Sequence, residues 1–160
     1  MTTSRIESLS KLMADKGLKL SLAESCTGGM IGSAITSLSG ASSFFLGSAV
    51  TYSNESKERL IGVSHGTLLE FGAVSEAVAK EMALGSLKAY GADIAGSVTG
   101  IAGPNGGTPE KPVGTVWMAV TDGVMTVTFE NHFSGSRDEV RERTADVLIE
   151  NIIEFVETNF

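Results

Sequence analysis

The chain has 160 residues, of which 42% are hydrophobic and 19% are charged, so it has the composition of a folded domain and not of a disordered segment. Its formal net charge is −7, from 12 basic and 19 acidic residues, and it contains no basic run. This charge excludes the broad positive surface on which general nucleic-acid binding depends, although a few local cations can still hold a small anionic ligand.

The first half of the chain alternates predicted helices with predicted strands. Apolar residues recur at helical spacing before Gly17, and apolar runs bounded by glycine and serine are typical of buried strands. Serine before a helix and glycine after it mark most of the boundaries. The predicted order is a helix over Ser4–Lys16, a strand over Leu18–Ala23, a helix over Cys26–Ser37, a strand over Phe44–Tyr52, a short helix capped by Ser53 or Asn54 and ended by Gly62, and a helical turn over Ser64–Glu70.

The second half is predicted to end in a hairpin and a long helix. Asp122-Gly123 between two apolar runs is the strongest hairpin signal in the chain. The glycine-rich run Gly100–Gly107 is predicted to be a loop. We therefore predict an α/β fold, a three-layer α/β/α sandwich whose mixed, mostly parallel sheet contains one antiparallel strand. The remaining predicted elements are a helix that Ser75 opens and that runs to about Tyr90, strands over Asp93–Thr99, Val113–Thr121 and Met125–Phe133, and a final helix from Ser136.

The cysteine, the histidines and the apolar runs predict the compartment of the protein and exclude several kinds of site. Cys26 is the single cysteine, which excludes an internal disulfide and fits a reducing compartment. The two histidines, His65 and His132, lack the spacing of metal ligands, so we expect no metal site. No apolar run approaches the ~18 residues that a membrane span needs, and the N-terminus is unlike a signal peptide. We expect one cytoplasmic domain over residues 1–160 that has no membrane contact.

The stretch Leu20–Met30 carries the main functional signal. It combines the end of a strand, a turn rich in hydroxyl groups with two glycines, and the start of a helix. In α/β sheets, ligands collect at such turns, and the first N–H groups of a helix attract negative charge. Ser25 fits three interpretations. It is a helix N-cap, which is the commoner role, a phosphate ligand, or a nucleophile, in which case N–H groups of Thr27, Gly28 and Gly29 would hold the oxyanion.

A serine nucleophile needs a base. Lys57 lies one turn into the helix after the second predicted strand, at the same end of the sheet as Ser25, and desolvation can lower the pKa of a lysine amine. Tyr52, at the end of that strand, can relay a proton. Taken singly, Lys57 also fits a solvated helix face and Tyr52 an aromatic residue at the sheet edge. Cys26 is a second nucleophile candidate that also fits a simple packing role.

Two further segments suit an anionic ligand. The loop that begins at Thr99 has glycines, among them Gly100 and Gly103, whose N–H groups can form an anion nest, and an ordinary flexible loop fits equally well. It lacks the Lys-Ser/Thr ending of a P-loop, which argues against a Walker-type NTPase. Arg137 and Arg141 lie four residues apart on one face of the last helix and fit either a phosphate clamp or surface pairs with neighbouring carboxylates.

Four motifs occur in order: Ala23–Gly29, Tyr52–Asn54 followed by Lys57, Thr99–Pro104, and Lys111–Gly114. Together they resemble the C-terminal domain of the competence/damage-inducible protein A (CinA) family over nearly the whole chain. The resemblance implies a nicotinamide-nucleotide amidase, which converts nicotinamide mononucleotide to nicotinic acid mononucleotide and ammonia without a metal or cofactor. It further implies that Ser25, Tyr52 and Lys57 act together. Larger members carry an N-terminal domain of the molybdopterin-binding type, and this chain resembles the stand-alone form.

The residues and the resemblance lead to one predicted mechanism. Neutral Lys57 would deprotonate Ser25, directly or through Tyr52, and Ser25 would attack the carboxamide carbon. The loop after Thr99 and one of the two arginines would hold the ribose phosphate. Two other functions stay open here: a non-catalytic nucleotide-binding or oligomerisation module, and a hydrolase of another small amide. We also expect a homo-oligomer, because glycine-rich sites on small α/β domains often gain from burial at a subunit contact.

Overall fold

The order of helices and strands agrees with the prediction. A computed structural model describes residues 3–160, which form six α-helices, five β-strands and a short 3₁₀ turn at Ala41–Ser43. The helices are α1 (Thr3–Lys16), α2 (Met30–Thr36), α3 (Asn54–Ile61), α4 (His65–Phe71), α5 (Glu76–Tyr90) and α6 (Arg137–Asn159). The strands are β1 (Leu20–Glu24), β2 (Phe45–Val50), β3 (Ile94–Gly100), β4 (Thr115–Thr121) and β5 (Thr126–His132).

One helix starts later than predicted. The helix expected from Cys26 begins at Met30, and a turn precedes it in which Gly28 and Gly29 have left-handed φ angles of +59° and +99°. Glycine adopts such angles at little cost because it has no Cβ atom. Ser25 therefore lies in a turn before α2 and not at the helix start.

The five strands form one sheet in the order β2-β1-β3-β4-β5. β1 is parallel to both β2 and β3, whereas β4 is antiparallel to both β3 and β5. A single strand, β4, thus runs against the other four, which confirms the predicted mixed sheet. The carboxyl ends of β2, β1 and β3 consequently lie side by side, which is where ligands bind in sheets of this kind.

Helices cover both faces of the sheet. α1, α2 and α6 pack on one face, where Leu9, Leu22 and Leu148 belong to the larger core. α5 packs on the other face with α3 and α4 beside it, and Val78 and Met82 belong to the smaller core there. This arrangement confirms the three-layer α/β/α sandwich. Within residues 3–160, no helix has both the length and the apolar character that crossing a membrane requires.

A glycine allows α5 to lie close to α3. A Cβ atom at Gly85 of α5 would lie 1.8 Å from the carbonyl oxygen of Ile61, the last residue of α3. No side chain fits there unless one of the two helices moves. Gly85 therefore sets the separation of these helices, and α3 is the helix that carries Lys57.

We expect Gly85→Ala to lower the free energy of unfolding by about 2 kcal/mol, because the added methyl group overpacks a backbone contact. Gly66→Ala is the matched control, since Gly66 lies in α4 and the nearest atom to its added Cβ is 3.6 Å away. This control should raise stability by up to about 1 kcal/mol through the helix propensity of alanine. Urea denaturation measures both changes, and equal effects would contradict the role assigned to Gly85.

Candidate active site

The carboxyl ends of β1, β2 and β3 surround a cavity of about 260 Å³. Six parts of the chain meet there: the turn after β1, the segment after β2, the start of α3, the segment between α4 and α5, the end of β3 with the loop after it, and the start of α6. Seven residues singled out from the sequence line this cavity: Ser25, Cys26, Tyr52, Lys57, Thr99, Gly100 and Arg137. The other five residues predicted to bind the substrate do not line it: Thr27, Gly28, Gly29, Gly103 and Arg141.

The central contact joins Ser25 and Lys57. The Lys57 amine donates hydrogen bonds to Ser25 Oγ at 2.9 Å and to the carbonyl oxygen of Thr51 at 2.6 Å. Both side chains are buried, since Lys57 is 1% exposed and Ser25 is 8% exposed. Burial lowers the pKa of the Lys57 amine from 10.5 to about 8. About a tenth of the amine is therefore neutral at neutral pH, and neutral amine can accept a proton.

Ser25 is not a helix cap. The N-cap of α2 is Gly29, and the Ser25 hydroxyl bonds to Lys57 instead. The capping interpretation of Ser25 is therefore wrong. A serine hydroxyl in contact with a buried amine is the arrangement that nucleophile activation by lysine requires.

Tyr52 shares the cavity but has another partner. It is 62% exposed, and its hydroxyl accepts a hydrogen bond of 3.2 Å from Arg137 Nη2. Among the described residues, Tyr52 forms no hydrogen bond with Ser25 or Lys57. A proton relay from Ser25 to Lys57 through Tyr52 is unnecessary in this geometry, because the serine and the lysine are already in contact.

A buried carboxylate organises the turn that carries Ser25. Glu24 is fully buried, and its two oxygens accept five hydrogen bonds. Negative charge is favoured at a helix N-terminus, so Glu24 satisfies the start of α2 and joins it to β2. An acidic residue directly before a glycine-rich helix start is the sequence signal for this role. The five donors are Thr27 Oγ1, Ser48 Oγ and the N–H groups of Gly29, Ile31 and Gly32, at 2.7–3.1 Å.

The turn engages two of the N–H groups that were expected to hold an oxyanion. The N–H of Gly29 donates to the buried carboxylate, and that of Gly28 donates to the carbonyl oxygen of Ser25. Neither is available to a ligand. The N–H groups of Cys26 and Thr27 donate to no other residue in the part of the chain that the structure describes. Of these two residues, Cys26 lines the cavity, whereas Thr27 is fully buried and does not.

The two arginines of α6 have different partners. Arg137 Nη1 donates to the carbonyl oxygen of Gly103 at 2.8 Å, and Arg137 lines the cavity. Arg141 Nε and Nη2 donate to the carbonyl oxygens of Cys26 and Thr27 at 3.1 and 3.0 Å. Arg141 thus holds the turn after β1, and Arg137 is the arginine that can reach a ligand in the cavity.

The loop after β3 meets the cavity where it begins. Thr99 Oγ1 donates to the carbonyl oxygen of Ala73 at 2.8 Å, and Thr99 and Gly100 both line the cavity. Gly103 lies further along the loop and offers Arg137 a carbonyl oxygen, which is an acceptor and not an N–H donor. At Gly103, the loop therefore binds the guanidinium of Arg137 through a carbonyl oxygen. This differs from the predicted anion nest, in which glycine N–H groups would bind an anion.

Cys26 and the two histidines are poor candidates for the reaction. Burial raises the pKa of the Cys26 thiol to about 11, which disfavours the reactive thiolate. His65 and His132 lie beside Glu58 and Glu130 at the surface and do not line the cavity. Within residues 3–160, no group of three or more acidic, histidine or cysteine side chains is arranged to hold a metal ion.

The chain is similar in sequence and in fold to several bacterial proteins. The family model for the CinA C-terminal domain matches residues 2–156. A CinA-like protein from Geobacter metallireducens is 50% identical over 137 residues, which are 86% of this chain and 33% of that protein, so the chain spans about a third of that relative's length. Nicotinamide-nucleotide amidohydrolase PncC from Enterobacter agglomerans is 55% identical over 132 residues, which are 81% of this chain and 80% of that protein. The crystal structure of a CinA superfamily protein from Klebsiella pneumoniae covers 99% of both chains with a TM-score of 0.95 at 32% identity.

We expect Lys57→Met to stabilise the protein at neutral pH, because an apolar chain of similar length replaces a buried ammonium group. The lowered pKa means that the folded state binds fewer protons than the unfolded state between about pH 8 and the ordinary lysine value of 10.5. The free energy of unfolding of the wild type therefore rises with pH across that window. Below pH 8, the free energy of unfolding of Lys57→Met should be about 2 kcal/mol higher than that of the wild type, and this difference should shrink across the same window.

Urea denaturation of both proteins from about pH 6 to about pH 10 measures this difference. Lys80→Met, which removes an exposed lysine of α5, is the matched control. It should change stability by less than about 0.5 kcal/mol at every pH. A Lys57→Met protein that is less stable than the wild type at neutral pH would contradict the conclusion that burial of the amine lowers the free energy of unfolding.

Proposed function

The chain belongs to the CinA C-terminal domain family, and on that premise we propose that it is a nicotinamide-nucleotide amidase. The proposed reaction is hydrolysis of the carboxamide of nicotinamide mononucleotide to nicotinic acid mononucleotide and ammonia. The observation that carries the proposal is the buried amine of Lys57, 2.9 Å from Ser25 Oγ, at the wall of a cavity of about 260 Å³. The relative named nicotinamide-nucleotide amidohydrolase PncC supports the choice of substrate.

The first half of the reaction acylates Ser25. The lone pair of neutral Lys57 accepts the hydroxyl proton while Ser25 Oγ attacks the carboxamide carbon. The electron pair of the C=O π bond moves onto the carbonyl oxygen, which becomes an oxyanion in a tetrahedral intermediate. An amide is a poor electrophile, so both the activated hydroxyl and donors to this oxyanion are needed.

The backbone N–H of Cys26 is assigned to the oxyanion. Those of Gly28 and Gly29 are engaged within the turn, and Thr27 is fully buried and does not line the cavity. Cys26 lines the cavity, and its N–H has no acceptor in another described residue. Arg141 donates to the carbonyl oxygen of Cys26 and so fixes the peptide plane that follows it.

The second half of the reaction releases ammonia and then the acid. Collapse of the intermediate breaks the C–N bond, and the departing nitrogen takes a proton from the Lys57 ammonium, directly or through the Tyr52 hydroxyl. Water then attacks the nicotinoyl ester of Ser25 and gives a proton to neutral Lys57. Breakdown of the second intermediate forms the carboxylic acid and returns a proton to Ser25 Oγ.

The phosphate of the substrate is assigned to Arg137. Its guanidinium lines the cavity and, within the described part of the chain, hydrogen-bonds to two neutral oxygens, those of Gly103 and Tyr52. A phosphate binds a guanidinium more strongly than such neutral acceptors do, because the bonds are assisted by charge. Thr99 and Gly100 form the neighbouring wall of the cavity.

A non-catalytic nucleotide-binding module is the competing function. Such a module needs the turn, the loop and Arg137, but it has no use for a buried lysine beside a serine. Burying an amine destabilises a protein unless the amine is well satisfied. The contact between Ser25 and Lys57 therefore favours the hydrolase.

We expect Ser25→Ala to lower ammonia release from nicotinamide mononucleotide by at least about 10³-fold, because the attacking oxygen is lost. Nucleotide binding, measured by calorimetry, should be nearly unchanged, and a chelator should not alter the wild-type rate. Ser33→Ala, at an exposed position of α2, is the matched control and should retain full activity. Equal loss of binding and turnover in Ser25→Ala would indicate a structural role, and wild-type protein that binds the nucleotide without releasing ammonia would support the binding module.

We expect kcat/KM to rise about tenfold per pH unit below pH 8 and to level off above it, because only the neutral Lys57 amine can accept the proton of Ser25. Lys57→Arg should be inactive at every pH, since a guanidinium keeps its proton. Steady-state kinetics between about pH 6.5 and about pH 9 test both statements. A kcat/KM that is constant over this range would rule out base catalysis by Lys57.

A further inference from the structure

Arg137 lines the cavity without a carboxylate partner. Within residues 3–160, no ion pair involves its guanidinium. The carboxylates that follow it in α6 are engaged elsewhere: Asp138 faces Arg141 at 3.6 Å, and Glu139 accepts the backbone N–H of Ser136 in a capping box. The positive charge of Arg137 is therefore available to an anionic ligand.

Both hydrogen bonds of Arg137 go to neutral oxygens, on different segments. Nη1 donates at 2.8 Å to the carbonyl oxygen of Gly103 in the loop after β3, and Nη2 donates at 3.2 Å to the hydroxyl of Tyr52 after β2. The bond to Tyr52 is the longer one, and Tyr52 is 62% exposed. It is therefore the weaker of the two bonds and the one that an incoming anion displaces first.

The bond to Arg137 holds the Tyr52 side chain in a position without a hydrogen bond to the catalytic pair. The phenol accepts this bond, so its own O–H is still able to donate. Among the described residues, however, Tyr52 has no hydrogen bond to Lys57 or Ser25, although all three line one cavity. For the route in which the phenol passes a proton between Lys57 and the leaving nitrogen, Tyr52 must therefore leave Arg137.

We propose that the phosphate of the substrate binds Arg137, displaces Tyr52 from it and so frees the phenol for proton transfer. This inference rests on the proposed amidase function. The phosphate then contributes to the turnover of bound substrate as well as to its affinity. A nucleoside with the same carboxamide and no phosphate binds in a cavity whose tyrosine is still engaged.

The first test compares nicotinamide mononucleotide with nicotinamide riboside, which lacks only the phosphate. With wild-type protein, we expect kcat for the riboside to be about 10–100-fold lower. Inorganic phosphate should raise this kcat at saturating riboside, because the free anion occupies Arg137 in place of the substrate's own phosphate. The same anion should inhibit turnover of the mononucleotide by competition.

Substitution of Arg137 separates the release of Tyr52 from the binding of phosphate. In Arg137→Met the phenol is permanently free, so we expect kcat for the riboside to rise about tenfold above the wild-type value. This variant should show no activation by phosphate and a higher KM for the mononucleotide. Tyr52→Phe should lower kcat for the mononucleotide and abolish the activation. Arg143→Met, which removes the same charge from α6 outside the cavity, is the matched control and should behave as the wild type.

A measurement that is independent of turnover uses the small number of tyrosines. The chain has two, Tyr52 and Tyr90, so comparison with Tyr52→Phe assigns the Cζ resonance of Tyr52 in protein labelled with ¹³C-tyrosine. In the Ser25→Ala protein, inorganic phosphate should shift this resonance and leave that of Tyr90 unchanged. The shift should disappear when Arg137→Met is added.

The outcomes distinguish this inference from the function on which it rests. A riboside kcat equal to that of the mononucleotide, or no response to phosphate together with unchanged riboside turnover in Arg137→Met, would overturn the inference and leave the amidase intact. No ammonia from the mononucleotide would overturn the amidase. In that case, a Tyr52 resonance that phosphate does not shift would overturn the exchange at Arg137 as well.

Discussion

The buried amine of Lys57 is the constraint on which the site depends. A neutral amine has two N–H groups and one lone pair, whereas an ammonium has three N–H groups. The nitrogen has two contacts among the described residues, with Ser25 Oγ and with the carbonyl oxygen of Thr51. In the neutral form, one N–H can donate to Thr51 while the lone pair accepts the hydroxyl proton of Ser25, so both contacts suit a base. Burial lowers the pKa of the amine to about 8, which leaves part of it neutral near neutral pH, as the proposed role of Lys57 requires.

Glu24 explains how Ser25 comes to face that amine. Its carboxylate occupies the N-terminus of α2, so that the turn between β1 and α2 closes around a charge. Ser48 of β2 donates to the same carboxylate, which links the turn to the strand that leads to Thr51. The two partners of the lysine amine, Ser25 Oγ and the carbonyl oxygen of Thr51, thus lie on segments that one buried carboxylate joins. The left-handed angles of Gly28 and Gly29 let the chain wrap around it.

Local chemistry made the elements predictable, but it did not determine which side chains meet. Serine caps at the starts of α3, α5 and α6 and the Asp-Gly hairpin turn act within a few residues, so the sequence shows them directly. The burial of Lys57 depends on the order β2-β1-β3 and on the packing of α5 against α3, and its neighbours Glu58 and Arg59 suggest a solvated face. The role of Glu24 requires donors from α2 and β2 at once, and no single segment reveals that.

Arg137 and Arg141 show why equal spacing does not mean equal roles. Both lie on one face of α6, and the sequence alone cannot choose between them. Arg141 lies beside the turn after β1 and donates to two backbone carbonyl oxygens, which fixes the peptide planes that follow Ser25. Arg137, one helical turn earlier, reaches the loop after β3 and the exposed hydroxyl of Tyr52. Both bonds of Arg141 go to backbone carbonyl oxygens, which makes it a fixed part of the scaffold. Arg137 has one backbone partner, Gly103, and one exposed side-chain partner, Tyr52, and the contact with Tyr52 is the exchangeable one.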